Sequence, residues 1–305
     1  MSAKGSLWGV IHVDFQYVVI SMDSMRLVDG STIPMLGLGT WQMTGEKCEA
    51  AVRIALETGY RHIDTASIYG NEEEVAAGIK ASGVPREDIF LTTKLWIDDF
   101  GYEGTLKACD ASLERLGTDY VDLYLIHWPV SSSDIHGTMR AMKELLDAGK
   151  IKAFGVSNFT MAHLEKAMKI GKGLDLAIAV NQVEFHPGLY QKELLEFCKE
   201  NKIVLTAYSP LTRGNVSENA TIKDIAERYN KTPAQVALRW MMDKDVVVIP
   251  KAASEDHIKE NFDVDDFTLD DEDAKRIDKM GGDDRLVTPS FAEFDKQDVF
   301  VKDDS

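Results

Sequence analysis

Asp64, Tyr69, Lys94 and His127 carry side chains that together can deliver a proton to a developing oxyanion. A phenol with an ordinary pKa of about 10 is a weak acid at neutral pH, but an adjacent ammonium lowers that value by roughly one to three units. Lys94 has the charge to do this for Tyr69. Asp64 can hold the ammonium in place and charged, and His127 can donate to a substrate oxygen. The plainer alternative for Asp64 and Lys94 is a simple ion pair, since an unpaired buried charge would cost several kcal/mol.

None of these groups is a strong nucleophile, and no metal site is expected. Metal-dependent barrel hydrolases need His-x-His at the first strand end, where this chain has Gly37-Leu38-Gly39-Thr40-Trp41. The comparable cluster, Glu184-Phe185-His186-Pro187, also reads as packing beside Pro187. A dinucleotide fingerprint of the Rossmann type is missing, because Gly37-x-Gly39 is followed by Gln42 where a third glycine belongs.

Positioning such a group requires elements that end at one place. Eight short apolar runs supply them: Leu36–Gly39, His62–Asp64, Ile89–Lys94, Val121–Ile126, Ala153–Val156, Ala177–Asn181, Val204–Tyr208 and Val246–Ile249. At or just past their C-terminal ends stand Asp64 and Tyr69, Lys94, His127, Ser157-Asn158, Asn181-Gln182, Tyr208-Ser209 and Lys251. Between the runs lie amphipathic stretches. Cys48, Val52, Ala55 and Leu56 form one helical stripe and Leu106, Cys109, Leu113 and Leu116 another, predicting helices over Glu46–Ala55 and Thr105–Arg115. Strand runs that alternate with helices call for a parallel sheet, and eight such units call for a closed (β/α)8 TIM barrel, with its polar strand ends on one rim.

Ahead of the barrel, Arg26–Pro34 reads as a hairpin about Asp29-Gly30. Residues 1–24 are taken as an N-terminal extension: either an added outer strand or, the reading preferred, codons upstream of a start at Met22 or Met25. The barrel domain then spans 25–305, close to the length of about 250 residues typical of this fold. Residues 281–305 change character, with isolated Phe291, Phe294 and Phe300, and are expected to fold over one end of the barrel, those after Phe294 being equally readable as a surface tail.

With 305 residues, 44% hydrophobic, the chain can bury one large core. A formal net charge of −17 works against nucleic acid and anionic membrane as partners. The three cysteines, Cys48, Cys109 and Cys198, are far apart and suggest a reducing, cytoplasmic setting. Leu7–Ile20 is interrupted by His12, Asp14 and Gln16, so it fits neither a spanning helix nor a secretory segment. The sequence sets no oligomeric state; a monomer or weak dimer is compatible with it.

The stretch Gly59-Tyr60-Arg61-His62-Ile63-Asp64-Thr65-Ala66-Ser67-Ile68-Tyr69-Gly70-Asn71-Glu72 closely resembles the aldo-keto reductase signature. Further matches follow in order at Thr93–Trp96, Leu125–Pro129, Gly155–Phe159, Asn181–Glu184, Ala207–Leu211 and Ile249–Lys251, so the resemblance covers roughly 26–292. It implies an NADPH laid across the C-terminal rim, hydride transfer to the carbonyl of an aldehyde or ketone, reversible toward alcohol oxidation, and a hairpin closing the bottom of the barrel. By the same resemblance Tyr69 is the general acid, Lys94 and Asp64 tune it, and His127 orients the carbonyl.

Ser157, Asn158 and Gln182 then resemble the carboxamide contacts and Tyr208 the ring stacked on the nicotinamide. Thr40, Asp64, Ser209 and Leu211 are grouped with the cofactor contacts. Lys251 and Ser254 resemble 2′-phosphate partners, and Glu260 and Asn261 the adenine contacts. The family's serine after the lysine and arginine six positions beyond it are Ala252 and His257 here, which leaves NADH use open beside NADPH. Trp41, Trp96 and Trp128, with His127, would line the substrate cup, with ordinary rim packing the less favoured reading of each tryptophan. The stretch Arg285–Phe291 is similar to the tail of a prokaryotic branch that reduces diketo acids and small aldehydes. The competing function is a cofactor-binding regulatory or structural barrel with little turnover.

Overall fold

β1 (Ser24–Arg26) and β2 (Thr32–Pro34) pair antiparallel with Met25 opposite Ile33. The turn between them is set by Asp29, whose carboxylate accepts from Ser31 N at 2.9 Å and Ser31 Oγ at 2.6 Å, and by Gly30 at φ 90°. This hairpin leads into the barrel at the end opposite the rim. The computed structural model describes residues 24–295 and 300, so the reading of residues 1–24 as an extension lies outside the described residues except at Ser24, which opens β1 opposite Pro34.

Eight parallel strands follow: β3 (Leu38–Gly39), β4 (His62–Asp64), β5 (Phe90–Leu95), β6 (Val121–Ile126), β7 (Ile151–Ser157), β8 (Val180–Glu184), β9 (Val204–Tyr208) and β10 (Val247–Val248). They pair in sequence order, and a parallel bridge from Leu36 to Val248 closes the ring. Gly37 N donates to Val248 O at 2.9 Å and Gly39 N to Pro250 O at 3.1 Å across that seam. Glycine is required there: a Cβ on Gly39 would lie 2.7 Å from Ile249 O, and one on Gly37 2.6 Å from His62 Nδ1.

The eight runs read from the sequence match these strands with shifted ends. The sixth shifts most, beginning at Val180 rather than Ala177 and running on to Glu184. Ala177 is exposed and Ile178 is buried ahead of the strand, while Ala179 already bonds to its neighbours, its N–H donating to Phe154 O at 2.8 Å and its carbonyl accepting from Val204 N at 2.9 Å; an apolar run does not mark where such pairing begins.

Helices wrap the sheet: α1 (Glu46–Thr58), α2 (Glu72–Ser82), α3 (Tyr102–Leu116), α4 (Ile135–Asp147), α5 (Met161–Leu174), α6 (Lys192–Glu200), α7 (Ala220–Tyr229), α8 (Pro233–Met242), α9 (Glu255–Phe262) and α10 (Asp271–Asp278). The predicted stripe of α1 is buried at Cys48, Val52, Ala55 and Leu56, and the helix runs on to Gly59, whose φ of 125° ends it. In α3, Cys109, Leu113 and Leu116 are buried and Leu106 partly so. Cys48, Cys109 and Cys198 are free thiols in this core. Among the described residues no helix is long and apolar enough to cross a membrane. The tail crosses the rim: Phe291 packs edge-on to Trp96 and Trp128, and Phe294 to Trp128.

Candidate active site

The strand ends surround a cavity of about 910 Å3. Asp64 ends β4, and Tyr69 follows on a 3-10 turn over Ser67–Tyr69 that Gly70 terminates in the left-handed region. Ser67 Oγ ties this turn to Lys94 O in the next strand at 3.0 Å. His127 follows β6, its N–H donating to Leu95 O at 3.1 Å. The sequence-predicted group is thus brought together by three neighbouring strands.

Lys94 is fully buried, and three acceptors surround its ammonium: Asp64 Oδ1 at 2.5 Å, Thr65 O at 2.8 Å and Tyr69 Oη at 3.5 Å. The other oxygen of Asp64, Oδ2, accepts from Gln182 Nε2 at 2.7 Å. Burial pulls the Lys94 ammonium down from its usual pKa, opposed by the Asp64 charge. Burial also pushes the Tyr69 phenol well above its usual value, with the Asp64 and Tyr208 charges adding in the same direction. This corrects the expectation that Lys94 lowers the phenol pKa. The ammonium is closer to Asp64 than to Tyr69, so the pair presents little net charge to the phenol and desolvation decides.

Burial, and then the Lys94 charge, hold His127 well below the usual histidine range, so its imidazole is neutral at pH 7. Its ring meets Tyr69 at 5.7 Å and Trp96 at 5.3 Å, both edge-on. A neutral imidazole carries one N–H and can still donate to a carbonyl oxygen without a charge to desolvate.

Beside this group lies an amide cluster. Ser157 Oγ donates to Gln182 O at 2.8 Å, and Asn158 Nδ2 donates to Ser157 Oγ at 3.1 Å and His127 O at 3.0 Å. Asn158 Oδ1 accepts from Tyr208 Oη at 2.8 Å. Asn158 sits at φ 64° and Ser209 at φ 50°; asparagine is among the residues that tolerate this region.

Further along the cavity wall stand Leu211, Lys251, His257, Glu260 and Asn261. Lys251 is exposed, reaches Gln42 O at 3.5 Å and forms no ion pair with another described residue. Ser254 caps α9, its Oγ accepting from His257 N at 3.4 Å, and Ala252 is buried. Thr40 lies behind the wall, holding Asp64 O through its Oγ1 at 3.0 Å. Trp41, Trp96 and Trp128 also line the cavity, Trp41 on the Lys251 side and Trp96 and Trp128 packed against Phe291.

Ile68 and Arg213 line the cavity without being singled out as site residues by the sequence, and Val287 and Pro289 bring into it the tail expected over one end of the barrel. Ile68 adjoins Tyr69 and is 49% exposed, an apolar side chain left open to the cavity mouth. Arg213 lays its guanidinium 5.3 Å from the Trp41 ring centroid, in a turn with positive φ at Thr212, Arg213 and Gly214. Glu184 and His186 bond each other at 3.0 Å, and among the described residues no three His, Cys, Asp or Glu side chains gather as metal ligands.

Residues 35–281 match the model of the aldo/keto reductase family. A glyoxal reductase of Bacillus subtilis is 48% identical over 265 residues, covering 87% of this chain and 95% of that protein. A methylglyoxal reductase of Escherichia coli is 42% identical over 86% of this chain and 94% of its own. The crystal structure of an aldo/keto reductase from Brucella melitensis superposes with a TM-score of 0.80 at 49% identity, over 85% of this chain and all of that one. The chain belongs to the aldo/keto reductase family and is an oxidoreductase acting on carbonyl groups, in a family that uses nicotinamide cofactors.

Proposed function

We propose that this chain reduces small aldehydes and ketones, dicarbonyls such as glyoxal and methylglyoxal among them, to alcohols with NADPH, and that Tyr69 is the general acid. The observation that carries the reading is the Tyr69 hydroxyl 3.5 Å from the Lys94 ammonium in the wall of a cavity that also presents His127. The named activities of two close relatives support the dicarbonyl substrates.

What supports a nicotinamide dinucleotide is the distribution of donors along the cavity. Ser157, Asn158 and Gln182 offer amides and a hydroxyl beside the catalytic group, suited to a carboxamide. At the other end Lys251, exposed and without an ion pair among the described residues, is a cation open to phosphate. Asn261 and Glu260 are the adenine contacts of this reading and Tyr208 the nicotinamide stacking face. Bound nicotinamide supplies the hydride that adds to the carbonyl carbon.

The chain's own part is to place and protonate the oxygen. His127, neutral, donates to the carbonyl oxygen and orients it. As negative charge builds there, the Tyr69 hydroxyl gives up its proton to that oxygen. A phenol held well above its usual pKa keeps this proton until an alkoxide, the stronger base, takes it. The phenolate left behind is stabilised by the Lys94 ammonium, which Asp64 and Thr65 O keep in position.

Tyr69→Phe removes one oxygen. With glyoxal and NADPH, kcat should fall by about 10²- to 10⁴-fold, while cofactor binding, read by quenching of tryptophan fluorescence, stays near wild type. Undiminished turnover would reject Tyr69 as the acid.

A further inference from the structure

Glu184 is fully buried at the end of β8, yet its carboxylate bonds to the tail. Oε1 accepts from Leu286 N at 2.7 Å and from His186 Nε2 at 3.0 Å; Oε2 accepts from Val287 N at 3.0 Å. Burial alone would push this carboxyl up, but the donated hydrogen bonds from His186, Leu286 and Val287 outweigh it and hold the group below the usual range, so it is ionised at pH 7. Charge-assisted bonds of this kind are about twice as strong as neutral ones.

Immediately upstream, Gly282 N and Asp284 N both donate to Gly188 O, so the tail enters over the same loop. Downstream, Glu293 accepts from Ser131 N at 3.0 Å and from Ser131 Oγ, and its carboxylate lies 3.7 Å from His163 Nε2. The span between these two buried carboxylates carries Val287, Pro289 and Phe291 into the cavity wall. Phe291 meets Trp96 at 5.9 Å and Trp128 at 5.6 Å, and so completes an aromatic cup.

We propose that Glu184 is a positioning residue for substrate selectivity: by binding the N–H groups of Leu286 and Val287 it holds Phe291 in the cup and so favours aldehydes with an apolar or aromatic body. The proposal rests on the carbonyl-reductase reading of the cavity. A two-carbon dicarbonyl needs only the groups around Tyr69 and makes little use of that wall. A benzaldehyde ring needs it.

Glu184→Gln keeps the volume but replaces one acceptor oxygen with an NH2 that cannot receive an N–H. Its KM for 4-nitrobenzaldehyde should rise about tenfold, the worth of an aromatic contact of roughly 1.4 kcal/mol, with kcat little changed. Both constants for glyoxal should stay within about twofold of wild type. Phe291→Ala should show the same selective loss, and the double variant Glu184→Gln with Phe291→Ala should lose no more than Phe291→Ala alone. Leu286→Pro, which removes one donated N–H from the tail side, tests the same bond if Glu184→Gln does not fold. Trypsin supplies a readout without turnover: the Arg285–Leu286 bond should resist cleavage in the wild type and be cut faster in Glu184→Gln. Equal losses on both aldehydes, multiplying losses in the double variant, or unchanged cleavage would each overturn the latch. Failure of the wild type to reduce either aldehyde would instead reject the carbonyl-reductase reading, and the cleavage rates would still decide the latch.

Discussion

Gln182 donates from Nε2 to Asp64 Oδ2 at 2.7 Å, joining side chains of β8 and β4 from opposite sides of the eight-stranded barrel. The Asp64 carboxylate is thereby held on both oxygens, by Lys94 and by Gln182. Gln182 thus has two tasks in our reading: its Nε2 fixes Asp64, and its Oε1 is left for the cofactor carboxamide.

Gln182→Leu should therefore weaken chemistry as well as cofactor binding. A hydrogen bond to a charged group contributes about 1.5–3 kcal/mol, so kcat should drop by about tenfold or more at saturating NADPH. Steady-state kinetics with the cofactor varied separates the two effects. A rise in cofactor KM with kcat unchanged would show that the Asp64 contact is dispensable.

The ion pair beneath Tyr69 gives a stability prediction. Lys94 and Asp64 are buried, so Asp64→Asn or Lys94→Met leaves one charge without its partner, at a cost of about 3–5 kcal/mol. The double variant removes both charges and should be more stable than either single one, though inactive. Urea denaturation of the three variants checks this; strictly additive losses would mean that the pair is not coupled.

What the sequence made legible follows the same geometry. Asp64, Lys94 and His127 could be placed because strand ends in this fold share a rim, and an apolar run with a polar terminus marks a strand end without any tertiary knowledge. The Gln182–Asp64 bond could not be read, since it links positions 118 residues apart through the barrel mouth. Nor could the Lys94 contact with Thr65 O, because a main-chain acceptor leaves no mark on residue type. The direction of the Tyr69 shift was missed for a different reason. Residue types announce charges, but the balance between a neighbouring charge and desolvation depends on distances and burial.

Acid should destabilise the barrel through His62. It lies in the core with Nε2 3.2 Å from Thr92 Oγ1 and its ring edge-on to Phe90, and burial lowers its pKa from 6.5 to about 4. In the unfolded chain the imidazole takes up its proton as pH falls through about 6.5; in the folded barrel it resists until about 4. Between those values the unfolded state binds more protons, so stability is full above 6.5 and declines as pH falls, by something on the order of 3 kcal/mol by pH 4. His127, also held neutral, acts in the same direction. Urea midpoints across this range should show the decline, with a shallower slope in His62→Gln. An equal slope in that variant would assign the acid lability to other groups.

Cofactor choice should respond to position 257. His257 is exposed at the start of α9 in the cavity wall, where Ser254 Oγ accepts from His257 N in capping the helix and keeps its O–H to donate, and Ala252 is buried. That leaves Lys251 and, over Trp41, Arg213 as cations without an ion pair at this end among the described residues, while Glu255 and Asp256 place negative charge in the first turn of α9. His257 lacks the fork of donors with which an arginine grips a 2′-phosphate, so NADPH and NADH should differ less than they would with an arginine there. His257→Arg supplies a planar fork of donors suited to phosphate and should lower KM for NADPH about tenfold, while KM for NADH stays put. Lys251→Met should act oppositely, raising KM for NADPH far more than for NADH. The ratio of kcat/KM for the two cofactors in the wild type and both variants measures this directly. Parallel changes for both cofactors would place the phosphate elsewhere along the cavity.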